Sequence, residues 1–458
     1  MSTHHSVAAT VLLGTALLLP GCQLLNLSQL AAFDSAQATE SLTLTQAPHL
    51  AGASADPELL NRYTFVPDIE NWYPILYENR DFAQLETFIQ QSLQREQSDE
   101  LASAYLSRLY LDLGEPPAHA DKTPSAADQQ QFDYSMRVLD QWSAAYPDSH
   151  IPYLIRGRLL INQAWEYRSE SLASRVSPEA WAPFRELLQQ AQIELETAAE
   201  LNPQDPNVWA ALLVAARGLG QPEAVWQDDY DRGLAANPDH LELWGMKAMS
   251  LSPQWQDSEA RLLAFGQEAD RRSQSGNQPM LGLITLFIHR EIDGDRPAHL
   301  QQPDVWGQVE AIYARIFAAY PDHLRMRYYY AYDAAMAKQW SVAAEQFEII
   351  GDRWTSGTPW RSLEHFHTGR TAAFYEQATD AYEQQRYLQA EELALQAIDL
   401  MPVTGAYLIL GVVQAAYYGN MPGVIEYAEQ ALANNPTPAE QQYAADLIRQ
   451  AEAHLLPQ

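Results

Sequence analysis

A chain of 458 residues with 47% hydrophobic side chains holds enough apolar material for a large core. Its 59 Asp and Glu against 28 Lys and Arg give a net charge of −31, which repels phosphate backbones and argues against nucleic acid as a partner. The single cysteine, Cys22, excludes an intramolecular disulfide and any zinc site built from several cysteines.

In chain order the first element is an address. Val7 to Leu19 form an apolar run that is shorter than the ~20 residues a resident membrane helix needs, but that suits the core of a signal peptide. The run ends in Leu18-Leu19-Pro20-Gly21-Cys22, which resembles a bacterial lipobox. By that resemblance, residues 1–21 are a signal peptide cleaved between Gly21 and Cys22, and Cys22 is lipidated. Several acyl chains on one residue hold a protein to a membrane where one would not. The n-region departs from the usual pattern, with His4 and His5 in place of Lys or Arg. Gln23 follows the cysteine, and the sorting rule of such proteins then implies the outer membrane, facing the periplasm. Residues 22–57 are rich in Ser, Thr, Ala and Gln and read as a tether, spanning about 30–35 Å as a flexible coil.

The remainder is punctuated by recurring turns. Ala144-Ala145-Tyr146-Pro147-Asp148, Ala235-Ala236-Asn237-Pro238-Asp239 and Ala318-Ala319-Tyr320-Pro321-Asp322 share one logic, with Asn202-Pro203, Pro402 and Asn435-Pro436 as variants. Small residues close a helix, proline cannot continue it, and a short polar residue caps the next. Pro203 and Pro238 are 35 residues apart, and Pro402 and Pro436 are 34 apart. A tetratricopeptide repeat is about 34 residues long. Phe374 to Pro402, with Ala378, Tyr387, Ala390 and Ala397, resembles one such repeat, and Leu408 to Pro436, with Ala415, Ala428 and Ala431, a second. Thr437-Pro438-Ala439-Glu440 spells a capping box and opens a terminal helix to about His454, which would cover the last repeat. Loops are expected over Leu113–Ala127, near Gly276, over Asp293–Pro303 and over Thr355–Pro359. The fold expected is all-α, a tetratricopeptide-like solenoid of antiparallel helix pairs. Residues 58–293 would form its N-terminal domain, and 294–458 C-terminal repeats with a capping helix.

From about Trp72 to Glu291 the chain resembles a bacterial tetratricopeptide-like family whose domain has no assigned function. The residues that carry the likeness are Arg80-Asp81-Phe82 with Leu85, Trp142, Pro147 and Ser149, and Ala164-Trp165 with Arg168. Val176 to Trp181 with Phe184, Pro203-Gln204-Asp205-Pro206, and Leu251 to Trp255 complete them. The resemblance implies a fold and no activity.

Signatures of chemistry are sparse. The sequence has no Gly-rich phosphate loop, HExxH pair or Gly-x-Ser-x-Gly elbow. In Glu364-His365-Phe366-His367 the two imidazoles lie about 200° apart on a helix, so they share one ion only where the segment is extended or a terminus, and they read as ordinary histidines near a loop. His289-Arg290-Glu291 and Trp165-Glu166-Tyr167-Arg168 carry acid–base groups that read as ion pairs. No catalytic residue, metal or cofactor is expected. The run Arg325-Met326-Arg327-Tyr328-Tyr329-Tyr330-Ala331-Tyr332 is the most suggestive of binding. Tyr328 and Tyr332 share a helix face while Tyr329 and Tyr330 do not, so the helix is either buried on several sides or lends tyrosines to a groove. Tyr417-Tyr418 poses the same choice. The candidate groove residues are Tyr328, Tyr329, Tyr330, Tyr332, Arg325, Arg327, Trp165 and Arg168.

The function these features suggest is a lipid-anchored scaffold that binds an envelope protein or peptide. An envelope hydrolase or carbohydrate-acting enzyme with paired groove carboxylates, and a passive spacer, are the alternatives.

Overall fold

The computed structural model describes residues 72–96, 100–114, 126–169, 173–252, 258–275, 278–291, 296–354 and 358–456. Gly21, Cys22, the signal peptide and the tether lie outside them, as do the tips of several expected loops. No strand occurs among the described residues, and no helix there is long and apolar enough to cross a membrane.

The described residues pack as two compact units, one within Gly21–His299 and Gly307–His323, the other within Leu300–Trp306 and Leu324–Gln458. The first opens with a π-helical turn, Pro74–Asn79, closed by Arg80 in the left-handed region at φ 56°. Helices α1 (Phe82–Glu96), α2 (Glu100–Leu113), α3 (Ala126–Ala145), α4 (Ile151–Arg168) and α5 (Trp181–Leu201) follow. Next come α6 (Pro206–Leu219), α7 (Glu223–Ala236), α8 (Leu241–Ser250), α9 (Glu259–Ser275) and α10 (Gly282–Glu291). Leu283 to Ile288 thus sit inside a buried helix, as their apolar run suggests.

Helix α11 (Arg296–Leu300) forms inside the stretch expected to be a loop, and α12 (Pro303–Ala319) comes next. The helices of the second unit are α13 (Leu324–Met336), α14 (Trp340–Ile350), α15 (Leu363–Glu383) and α16 (Tyr387–Leu400). It closes with α17 (Thr404–Val413), extended by a π turn over Gln414–Tyr418, then α18 (Met421–Ala433) and α19 (Pro438–Leu455).

Two contact patterns make a solenoid of this list. Sequential helices pack as pairs, α4 on α5, α6 on α7, α15 on α16 and α17 on α18. Alternate helices also touch: α2, α4, α6, α8 and α10 succeed one another in the first unit, and α13, α15, α17 and α19 in the second. Each unit therefore has a continuous layer of alternate helices backed by their partners, the arrangement of stacked helix–turn–helix repeats.

The turns between pairs are built alike. In α6, Asp205 accepts from Asn207 N at 2.9 Å and Pro206 takes the first helical position, where its missing N–H costs nothing. Asn202 Oδ1 accepts from Gln204 N at 3.1 Å, and 35 residues on Asn237 Oδ1 accepts from Asp239 N at 3.0 Å. Trp209 and Trp244 donate their indole N–H to the carbonyls of Pro203 and Pro238, each at 2.9 Å. The same side chains at the same offsets make the same bonds, so the 35-residue interval is a structural repeat.

Where helices come closest the sequence supplies glycine. A Cβ on Gly233 would lie 2.7 Å from the Leu243 side chain, and Gly157 faces Leu195 in the same way. At the C-terminal end the capping box forms in full, with Thr437 Oγ1 accepting from Glu440 N and Glu440 from Thr437 N. Ala444 of the capping helix closes a cluster with Leu408, Ala428 and Ala431, flanked by Tyr407, Leu432, Leu447 and Ile448.

Candidate functional site

Four successive inner helices of the first unit are joined by buried polar groups. Leu243 N–H donates to His240 Nδ1 at 3.2 Å, so that nitrogen carries no proton, and Nε2–H is left to face Ser107 Oγ at 3.1 Å. Ser107 donates its hydroxyl to Asn207 Oδ1 at 2.7 Å, and Asn207 Nδ2 donates to Asp205 Oδ1 at 2.8 Å. The other Asp205 oxygen accepts from Tyr110 Oη and His150 Nε2, each at 2.9 Å. Beside this chain Arg158 forks onto Glu242 with two 3.0 Å bonds and reaches the Asn207 carbonyl at 3.3 Å. The layer thus ties α2, α4, α6 and α8 together.

A Ser–His pair inside a fold invites a catalytic reading, and its bond directions decide against one. His240 presents Ser107 with an N–H and no lone pair, so it cannot take the serine proton. Burial pushes the His240 imidazole down to about 3, with Asp205 opposing that shift and Arg158 adding to it, so the ring is neutral near pH 7. Burial alone would raise the Asp205 carboxyl. The hydrogen bonds and charge of His150, with the bonds from Asn207, outweigh it, and the carboxyl is held below its ordinary range. Asp205 and His240 cap the starts of α6 and α8.

Next to the two Asn-Pro turns lies a cleft of about 270 Å³, lined by Leu93, Gln94, Asn202, Gln204, Pro206, Ala236 and Asn237. The lining offers amides and apolar surface without a charge. That is chemistry suited to a polypeptide backbone, whose own groups are neutral donors and acceptors. No carboxylate lines it among the described residues.

The residues singled out in the sequence fall into two places. Arg168, at the end of α4, lies 4.9 Å from the Trp165 ring, 5.4 Å from Trp181 and 5.9 Å from Phe184, so the protein's own guanidinium fills this aromatic box. In α13, Arg325, Tyr328 and Tyr329 are buried. Tyr328 donates its hydroxyl to the Arg353 carbonyl, and its own carbonyl accepts from Trp360 Nε1 at 3.3 Å. Tyr330, half-buried, stacks on Trp306 at 6.1 Å, and Tyr332, also half-buried, meets the edge of Trp360 at 5.2 Å. Arg327 donates to Gln346 at 2.8 Å. The tyrosine run is therefore packed on several sides, with Tyr330, Tyr332 and Arg327 keeping some exposure.

His365 meets Trp360 edge to face at 5.2 Å, and burial followed by the charge of Arg361 lowers its pKa. His367 lies beside Phe366 instead. No group of three or more metal-binding side chains gathers among the described residues. His289 accepts from His299 at 3.0 Å and donates to Gln308 at 3.0 Å, whose amide donates in turn to Asp270, the partner of Arg315. His289 is thus committed within a structural chain.

The sequence reading passed over a second surface. On α15, Tyr375 and Tyr382 are seven residues apart and share a face, with Glu376 and Asp380 one position round. Tyr375 lies over Gly405 of α17, where a Cβ would collide with its ring. The Tyr375 hydroxyl is raised by burial and Glu376 first, with Glu440 of α19 adding to it. Tyr443 of α19, 47% exposed, is raised by burial and then by Tyr382. Helix α17 packs against both α15 and α19, which places Tyr375 and Tyr382 on one side of it and Glu440 and Tyr443 on the other. The seven-residue spacing was the signal available; the partner helix was not readable from it.

None of the curated proteins compared with the chain matches it. Among solved structures the chain is similar to yeast Tom70, at 10% identity over 87% of this chain and 96% of that one, with a TM-score of 0.24, a likeness too slight to build on. Residues 73–229, from the π turn into α7, match the family described as "Domain of unknown function (DUF4034)", and the resemblance carried by Phe82, Trp142 and Trp165 is to that family.

Proposed function

We propose that the protein is a lipid-anchored scaffold of the bacterial envelope, held through Cys22 at the outer membrane and facing the periplasm, whose helical repeats bind a protein or peptide. The observation that carries the reading is the uncharged, amide-lined cleft beside two turns of a repeat layer that share the same Asn bond. A passive spacer has no use for such a cleft, and among the described residues no carboxylate lines it to serve paired-carboxylate hydrolysis. Stacked repeats give an extended surface whose binding groups recur at the repeat interval, which suits a chain-like ligand. The lipobox residues Leu18 to Cys22 support the anchoring.

A crosslinking pull-down from envelopes tests both parts, using the wild-type chain, Cys22→Ala, and a Gln94→Ala/Gln204→Ala variant of the cleft. The expected result is one partner enriched by the wild type, lost or mislocalised with Cys22→Ala in cells, and weakened by the cleft variant. Capture of the same proteins by all three to the same extent would overturn the reading.

A further inference from the structure

We infer that the surface over α17, between Tyr375 and Tyr382 of α15 and Glu440 and Tyr443 of α19, docks an extended polypeptide segment bearing Arg or Lys side chains. This rests on the scaffold reading and names the partner's chemistry at a second place on the same protein.

Tyrosine faces are where a desolvated cation gains most from the ring quadrupole, and here they stand on two helices with one helix between them. Tyr443 is 47% exposed although its neighbours in the capping helix, Ala444 and Ala451, are buried. The Tyr443 ring is therefore open to solvent and available for contact, and Tyr is a residue type enriched at binding hot spots.

Charge selects the occupant. Glu376 is half-buried and has neither a hydrogen-bonded nor an ion-paired partner among the described residues. Burial, then the charge of Asp380, raises its pKa, and Lys338 offsets this only in part. Glu440 is tied into the capping box and lies near Tyr375. An anionic segment would meet Glu376, Asp380 and Glu440 together, whereas a guanidinium or ammonium adds to the partial counter-charge that Lys338 gives Glu376. The whole chain, with 59 acids against 28 bases, draws such a segment in and turns away an acidic one.

The test uses the full chain in detergent and two fluorescent peptides of equal length, one alternating Arg with Gly and Ser, the other carrying Glu in place of Arg. Anisotropy should show the Arg peptide binding and the Glu peptide not. Tyr443→Ala and Glu376→Gln should each weaken binding by about tenfold, while Tyr167→Ala, an exposed tyrosine of the other unit, should leave it unchanged. Thermal melts matching the wild type would show that the variants fold. Equal binding by Tyr443→Ala and Glu376→Gln would mean diffuse attraction to an acidic surface and would overturn the inference, as would equal binding of the Glu peptide or no binding at all. An envelope partner captured equally by wild type, Tyr443→Ala and Glu376→Gln would remove this inference and leave the scaffold reading standing.

Discussion

Asp205 accepts from Asn207, Tyr110 and His150 while fully buried, and it begins α6. Removing that carboxylate leaves donors on three helices without acceptors, so Asp205→Ala should cost about 3–5 kcal/mol, the usual penalty for breaking a buried polar pair. A fall in the urea midpoint of the first unit's transition measures it, and an unchanged midpoint would mean that water replaces the carboxylate.

His240 makes the same layer sensitive to acid. Its folded pKa of about 3 lies below the ordinary 6.5, so the unfolded chain takes up the proton first. The stability it contributes is complete above pH 6.5 and drains away as pH falls towards 3. Asp205, also lowered in the folded state, loses its contribution only below the ordinary carboxylate range, so the two losses come one after the other. His240→Asn keeps a capping side chain and removes the titration. Its stability should be flatter than wild type between pH 6.5 and 4 in urea melts at stepped pH. Asp229 runs the other way: burial, then Asp228, raises it to about 6, so its charged form is a burden near pH 7. Asp229→Asn should stabilise by about 1 kcal/mol at pH 7, discounted for its partial exposure, and by almost nothing at pH 4.

At the scale of the element, what the sequence made legible was its punctuation. Proline after small residues ended α7 and α12, and the capping box opened α19, because these signals act within four residues of one another. The box also gives a local prediction. Thr437→Ala should cost about 1 kcal/mol and speed hydrogen exchange in α19 and in the Leu408–Ala428–Ala431 cluster it covers, while leaving α6 to α8 protected. The polar layer stayed hidden for the opposite reason. Ser107 meets Asn207 and His240 across 100 and 133 residues, and no local period records that pairing. The tyrosines of α13 were ambiguous because a helix touched on several sides has no single apolar stripe. Only Trp306, Trp360 and Arg353, brought in from elsewhere in the chain, show which rings are covered.

For the molecule as a whole, net charge works against the proposed anchor. A surface of net charge −31 is repelled by the anionic headgroups of a membrane, so nothing in the folded body should hold it there. No described helix can cross the bilayer either. Attachment would then rest on the acyl chains proposed at Cys22, whose hold comes from buried methylenes at about 0.8 kcal/mol each and is insensitive to salt. Two results follow from that division. Wild-type protein in membranes should resist a high-salt wash and leave only with detergent, because screening weakens repulsion and does not touch the lipid. Cys22→Ala protein should stay off anionic vesicles at low salt in a flotation assay, where electrostatic attraction would be strongest if any existed. Salt-released wild type or vesicle-bound Cys22→Ala would place the attachment in a protein surface and remove the anchor from the proposal.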